Sequence, residues 1–284
     1  MNLFKSTLLL TLMTLLLLAI GRHFGGSNGM AIALFFAGAL NFVSYFYSDK
    51  IALKMSRAQP VTREELPRVY AIVERLTQKQ GLPMPKLYVL PDDSANAFAT
   101  GRNPQHSSVA VTRGILVLLD DEELEGVLAH ELSHVRNRDI LTASIAATIA
   151  GAITWIAHIA RWGMIFGGMG GRDSRDRNGG GIGAIFMLIL APIAAMMIQL
   201  WISRTREYEA DASGAALTGN PYALARALQK INAASTRMPT LSGANTAHLF
   251  FNAPRIQGAD FASLFSTHPP MAKRIERLIG RDHL

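Results

Sequence analysis

The 284-residue sequence predicts a helical membrane protein of mainly α, α+β class: four hydrophobic helices in two hairpins, carrying a water-facing domain with a small β-sheet. Three observations lead there. Apolar residues make up 49% of the chain and charged residues only 17%, against about 25% charged in an ordinary soluble domain, and the mean hydropathy is +0.20. The excess is gathered in four long runs, Phe4–Ile20, Met30–Tyr47, Ile140–Trp162 and Ile182–Ile202. Outside those runs the composition becomes that of a soluble α+β unit.

The first two runs fill a hairpin over residues 1–47, joined by a Gly-rich turn with one arginine, Arg22. The second run ends in Tyr45-Phe46-Tyr47, the aromatic grouping of a membrane interface. Lys50, Lys54, Arg57, Arg63 and Arg68 follow it, and the positive-inside rule assigns that side to the cytoplasm. Residues 48–139 read as the first part of a soluble domain. Thr62 and Glu65 have capping-box spacing, Leu66, Val69, Tyr70, Val73 and Leu76 recur at helical intervals, Pro67 blurs the start, and Gly81 marks the stop. Lys86–Leu90, Ala95–Thr100, Ser108–Thr112 and Ile115–Leu118 read as short strands of one small sheet. Asp120 and Asp121 then cap a helix whose buried stripe is Leu124, Val127, Leu128 and Val135.

Residues 140–202 form the second transmembrane or membrane-associated hairpin, with His158 in its first arm, Pro192 in its second and a Gly-rich polar loop at Gly167–Gly183. Residues 203–284 return to soluble character: helices over Ser203–Leu217, from Pro221 through Asn232 and over Met271–Ile279, with an irregular stretch containing Leu249-Phe250-Phe251 between the last two.

With no cysteine, any bound metal must be held by His, Asp or Glu. The formal net charge of +7 is scattered and flanks apolar runs, which fits anionic lipid headgroups and a bilayer and gives no nucleic-acid patch. Leu128-Ala129-His130-Glu131-Leu132-Ser133-His134 carries the chemistry. Residues four apart share a helical face, so His130 and His134 can offer two imidazoles to one zinc ion, with Glu131 beside them as general base on the water that zinc activates. A catalytic zinc takes a third protein ligand. Ser203-Arg204-Thr205-Arg206-Glu207-Tyr208-Glu209-Ala210-Asp211 offers Glu207, with Asp211 on the same face to accept the free ring N–H of a histidine ligand; Glu209 lies about 200° round the helix from both and is the competing candidate. His134 precedes the third run, and Glu207 follows the fourth, by similar distances of about 8–9 Å along a helix, so a hairpin returns both to one depth on one side.

Together the two N-terminal runs, H-E-L-S-H, the second hairpin, S-R-T-R-E-Y-E-A-D and Ser266-Thr267-His268-Pro269-Pro270 resemble the HtpX family of bacterial membrane-bound zinc metalloproteases, relatives of the CAAX prenyl protease. The resemblance covers nearly the whole chain. It implies a gluzincin-type, zincin-like metalloprotease domain facing the cytoplasm from a multi-pass inner-membrane anchor, with one Zn(2+) per chain held by His130, His134 and Glu207. It implies stress-linked quality control, with misfolded or damaged membrane proteins and unfolded polypeptides as substrates, and admits other membrane proteases or chaperones as partners. It makes Asn96-Ala97-Phe98-Ala99 an edge strand for pairing with extended substrate. His268 is a candidate second donor to the oxyanion, or equally a residue that structures the Pro269-Pro270 turn. Two other readings share the metal ligands: a CAAX-type prenyl-peptide protease, whose chamber four spans are too few to build, and a non-catalytic metal-binding membrane scaffold, which has no use for Glu131.

Overall fold

A computed structural model describes residues 2–139, 141, 204–235 and 269–280. The second hairpin, its Gly-rich loop and His158, the stretch with Leu249-Phe250-Phe251, and His268 lie outside the described residues.

Helix α1 (Asn2–Met55) is two helices joined at Gly26, whose φ of 57° and ψ of −139° belong to no helix and suit a residue without a Cβ. Asn41 Nδ2 donates to Thr14 Oγ1 at 2.9 Å. In a straight helix those residues would stand about 40 Å apart, so the chain has turned back at Gly26 and the two arms lie side by side, as the two apolar runs predict. Among the described residues one stretch, Gly26–Tyr47, is long and apolar enough to cross a membrane: 22 residues at a mean hydropathy of 1.7. Ile32, Leu34, Phe35, Phe36 and Phe42 stand exposed along it. The helix does not stop at Tyr47 but continues to Met55, where Ala52 and Leu53 are buried.

The soluble part opens with a short strand, β1 (Gln59–Pro60), that the sequence did not announce. Helix α2 (Pro67–Gln80) starts with proline at its first turn, where a missing N–H costs nothing, and ends at Gly81 in the left-handed region. The Thr62–Glu65 bond does form, Thr62 N–H donating to Glu65 Oε2 at 2.7 Å, but in the turn before the helix. Strands β2 (Lys86–Leu90), β3 (Ala97–Gly101) and β4 (Ser107–Thr112) complete a mixed sheet ordered β1-β2-β4-β3; β2 and β4 are parallel, the other two pairs antiparallel, with Phe98 opposite Ala110.

Ile115–Leu118, read from sequence as a strand, is instead part of a short helix, α3 (Arg113–Leu118). Four apolar residues carry no periodicity, and the local chemistry decides: Thr112 Oγ1 accepts the Ile115 N–H as an N-cap. Gly114 passes so close to Asp93 that a Cβ would meet its carbonyl oxygen at 2.0 Å.

Helix α4 (Asp121–Arg136) is the central element. Its capping box is complete, Asp120 Oδ1 accepting from Glu123 N–H and Glu123 Oε2 from Asp120 N–H. One face of the sheet and helices α2, α4, α5 (Arg204–Thr218), α6 (Pro221–Ser235) and α7 (Met271–Ile279) surround a core that includes Val73, Leu76, Val109, Leu128, Leu132, Leu228 and Ile275. On the other face Phe98, Ala110 and Leu90 pack on Ala52 and Leu53 of α1.

Candidate metal centre

Burial of α4 on nearly every side fixes its rotation, so His130 and His134, one turn apart, must face whatever α5 presents. Gly214 lets α5 come that close. A Cβ there would lie 2.9 Å from the His130 backbone nitrogen and 3.2 Å from its Cα, tighter than real contacts allow. Two turns earlier on α5, Glu207 is thereby carried to the histidines.

The three side chains converge on one point. His130 Nε2 and His134 Nε2 are 3.2 Å apart; Glu207 Oε1 lies 3.4 Å from His134 Nε2 and Oε2 lies 3.7 Å from His130 Nε2. A tetrahedral zinc with ligands at 2.0–2.1 Å needs donor atoms about 3.3–3.4 Å from one another, so the set fits such an ion with shifts of a few tenths of an ångström. All three are candidate ligands by this spacing, and Glu209 is not among them: it is exposed.

The other ring nitrogens are anchored. His130 Nδ1 lies 2.9 Å from Asp211 Oδ1, and His134 Nδ1 lies 3.2 Å from Asp139 Oδ2. A carboxylate only accepts, so each ring carries its proton on Nδ1 and turns the Nε2 lone pair toward the metal point. Asp139 was not anticipated from the sequence. It follows Arg138, whose φ of 59° reverses the chain at the end of α4 and brings Asp139 back onto His134. Arg206 Nη1 approaches its other oxygen at 3.5 Å.

Arg274 was also missed, because in an amphipathic α7 it reads as a surface cation. It is fully buried and grips Asp211 with two parallel bonds, Nε to Oδ2 at 2.8 Å and Nη2 to Oδ1 at 2.7 Å. Its Nη2 also stands 3.4 Å from His130 Nδ1, because both share the same Asp211 oxygen.

Charge tells the same story as geometry. Among the described residues, the carboxyl groups of Glu131, Glu207, Asp139 and Asp211 gather round two guanidiniums, Arg206 and Arg274, a preponderance of acid that suits a divalent cation. Without a cation, protons take that place. Burial pushes Glu131 up to about 8, helped by the charge of Glu207. Burial by itself would lower His134, but Asp139 and Glu207 outweigh it and hold the ring up at about 10. Burial takes His130 down to about 4, so it is already neutral. For Asp211 burial acts upward, and Arg274 overrides it and holds the carboxyl at about 2.

Glu131 sits beside the metal point on the sheet side. Its Oε2 accepts the backbone N–H of Ala99 at 2.9 Å, so the carboxylate is tied to β3, the last strand in the sheet order. Of the predicted segment 96–99, Phe98 turns its side chain away into the contact with α1, and Asn96 Oδ1 accepts the Ala97 N–H. What this segment turns toward Glu131 is backbone. His268 lies outside the described residues, though Pro269 beside it is buried next to α7.

Fold and site together define a metallopeptidase with an H-E-x-x-H helix and a carboxylate as third ligand. The chain belongs to peptidase family M48, whose pattern matches residues 63–282. It is 55% identical to the protease HtpX homolog of Desulforapulum autotrophicum over 98% of this chain and 89% of that one. The homolog of Thermococcus sibiricus is 52% identical over 96% of this chain and 94% of that one, and that of Aquifex aeolicus 52% over 93% and 87%. The crystal structure of S. mikatae Ste24p has a similar fold, with a TM-score of 0.55 at 20% identity, covering 98% of this chain and 65% of that chain. The protein is a metalloprotease, as its H-E-x-x-H motif predicts.

Proposed function

We propose that the protein is a zinc-dependent endopeptidase of the bacterial cytoplasmic membrane, anchored by four spans with its catalytic domain in the cytoplasm, that cleaves misfolded or damaged membrane proteins and unfolded chains. The observation that carries this reading is the convergence of His130, His134 and Glu207 with Glu131 poised between them and the backbone of β3. The exposed apolar face of Gly26–Tyr47 and the basic residues after it support the anchor and its orientation.

Zinc held at the site supplies a Lewis acid for the peptide carbonyl and an activated water. The chain's own groups do the rest. His130 and His134 are held in the required tautomer by Asp211 and Asp139. Glu131 accepts the proton of the attacking water and delivers it to the leaving amine nitrogen, a transfer suited to a carboxylate whose proton affinity burial has raised. The Ala99 N–H holds Glu131 Oε2 still, leaving the other oxygen for that transfer. A scaffold that merely bound metal would have no use for a buried glutamate in this place.

The test uses the purified full-length protein with its zinc content measured. Wild-type protein digests casein and a damaged membrane protein, loses activity to a chelator and regains it with zinc. Glu131→Gln keeps its zinc and loses at least about 10²-fold in rate, because an amide accepts no proton. Wild-type-like digestion by that variant overturns the mechanism.

A further inference from the structure

The strand that anchors Glu131 is also the strand that meets the membrane helix. Just past the end of β3, Arg102 sets its guanidinium over the Phe46 ring, 5.6 Å from its centre. Four residues back along the strand, Phe98 packs on Ala52 and Leu53. Moving along β3 from Phe98 to Arg102, about 13 Å of strand, therefore means moving back along α1 from Ala52–Leu53 to Phe46, about 9–10 Å of helix. β3 runs roughly antiparallel to α1 and descends toward the apolar span.

The end of that span is marked chemically. Phe42, Tyr45, Phe46 and Tyr47 cluster there, with ring centres 4.7 Å apart for Phe42–Phe46 and 4.9 Å for Tyr45–Phe46, and the Lys50 ammonium lies over Tyr47 at 5.2 Å. Aromatic rings followed by a lysine are the residues that settle at a bilayer surface. Ala99, whose N–H holds Glu131, neighbours Phe98 and hence stands at the level of Ala52–Leu53, about 8–9 Å beyond Tyr47.

We propose that the site is a ruler set against the membrane surface: it takes extended segments of membrane-inserted polypeptides just where they leave the bilayer and cuts them about three to six residues beyond the apolar stretch. This rests on the endopeptidase reading above and adds to it where along a membrane-inserted substrate the cut falls. An extended chain advances about 3.3 Å per residue, so 8–9 Å is reached in about three residues, and an oblique path takes up to about six. The same peptide sequence further out on a long tail is not held at that distance from the site.

The experiment co-reconstitutes the zinc-loaded, full-length protein with a single-span polypeptide in phosphatidylethanolamine–phosphatidylglycerol vesicles. The polypeptide's tail is one hexapeptide repeated to about 40 residues, so every repeat is chemically equal, and mass spectrometry maps the cuts. The same tail without the span, offered in solution, reports endopeptidase activity alone. We expect the free tail to be cut evenly along its length and the anchored tail at least about 10-fold more often in its first repeat than in its fourth. Even cutting of both tails overturns the ruler and leaves the endopeptidase standing. No cutting of either tail overturns the endopeptidase reading, and the ruler with it.

Discussion

The Nδ1 atom of His130 lies 2.9 Å from Oδ1 of Asp211, and Asp211 in turn is held at both oxygens by the buried Arg274. This chain of contacts joins three helices at a candidate metal ligand: α4, α5 and α7. Because Arg274 keeps Asp211 ionised, the His130 proton stays on Nδ1 and Nε2 is left as a donor. Asp211→Ala should bind zinc roughly 10–100-fold more weakly while keeping its helical content. Competition against a calibrated chelator measures the affinity, and wild-type affinity would remove Asp211 from the site.

Glu207 and Glu209 make opposite forecasts. Glu207 is buried with both oxygens directed at the histidines, whereas Glu209 faces outward. Metal analysis of purified Glu207→Ala should find zinc and activity lost, and Glu209→Ala should keep both. The reverse pattern would exchange the two assignments.

Zinc uptake should expel protons. In the metal-free protein His134 titrates at about 10 and Glu131 at about 8, so at pH 7 both are protonated, while His130 at about 4 is not. Binding requires the His134 Nε2 lone pair, and a dication beside Glu131 favours its ionised form. Close to two protons should therefore leave per zinc at pH 7, and affinity should fall as the pH is lowered. Calorimetry in buffers of different ionisation enthalpy counts them; a value near zero would contradict the charge balance described for the site.

Gly214→Ala probes the closeness of α4 and α5. The new methyl group meets His130 backbone, which cannot swing aside as a side chain does, so α5 must retreat by a few tenths of an ångström. We expect a loss of about 1–3 kcal/mol in stability and weaker zinc binding with it. Thermal unfolding with and without zinc reads both, and an unaffected variant would show that the helices have slack.

Several helix ends were legible because their signals are local. Asp120 with Glu123, Gly81 at the end of α2, and Asn220 before Pro221 each fix a helix end through hydrogen bonds to near neighbours, and the sequence displays them. Ile115–Leu118 was misread because four apolar residues carry no period, and the deciding contact is the cap from Thr112.

The candidate metal ligands were legible in the sequence itself, since His130 and His134 on one turn, and Glu207 with Asp211 on one face, follow from 3.6 residues per turn alone. The supports were decided only by tertiary structure. Asp139 reaches His134 because Arg138 reverses the chain, Arg274 arrives from a helix far along the sequence, and Ala99 offers its N–H to Glu131 because β3 is the last of the described strands in the sheet order. Helical periodicity fixes which residues share a face, but it is silent about what that face will meet. Which carboxylate, guanidinium or backbone N–H stands opposite depends on how the buried faces of α4, α5, α7 and β3 pack, and that packing is a property of the whole fold.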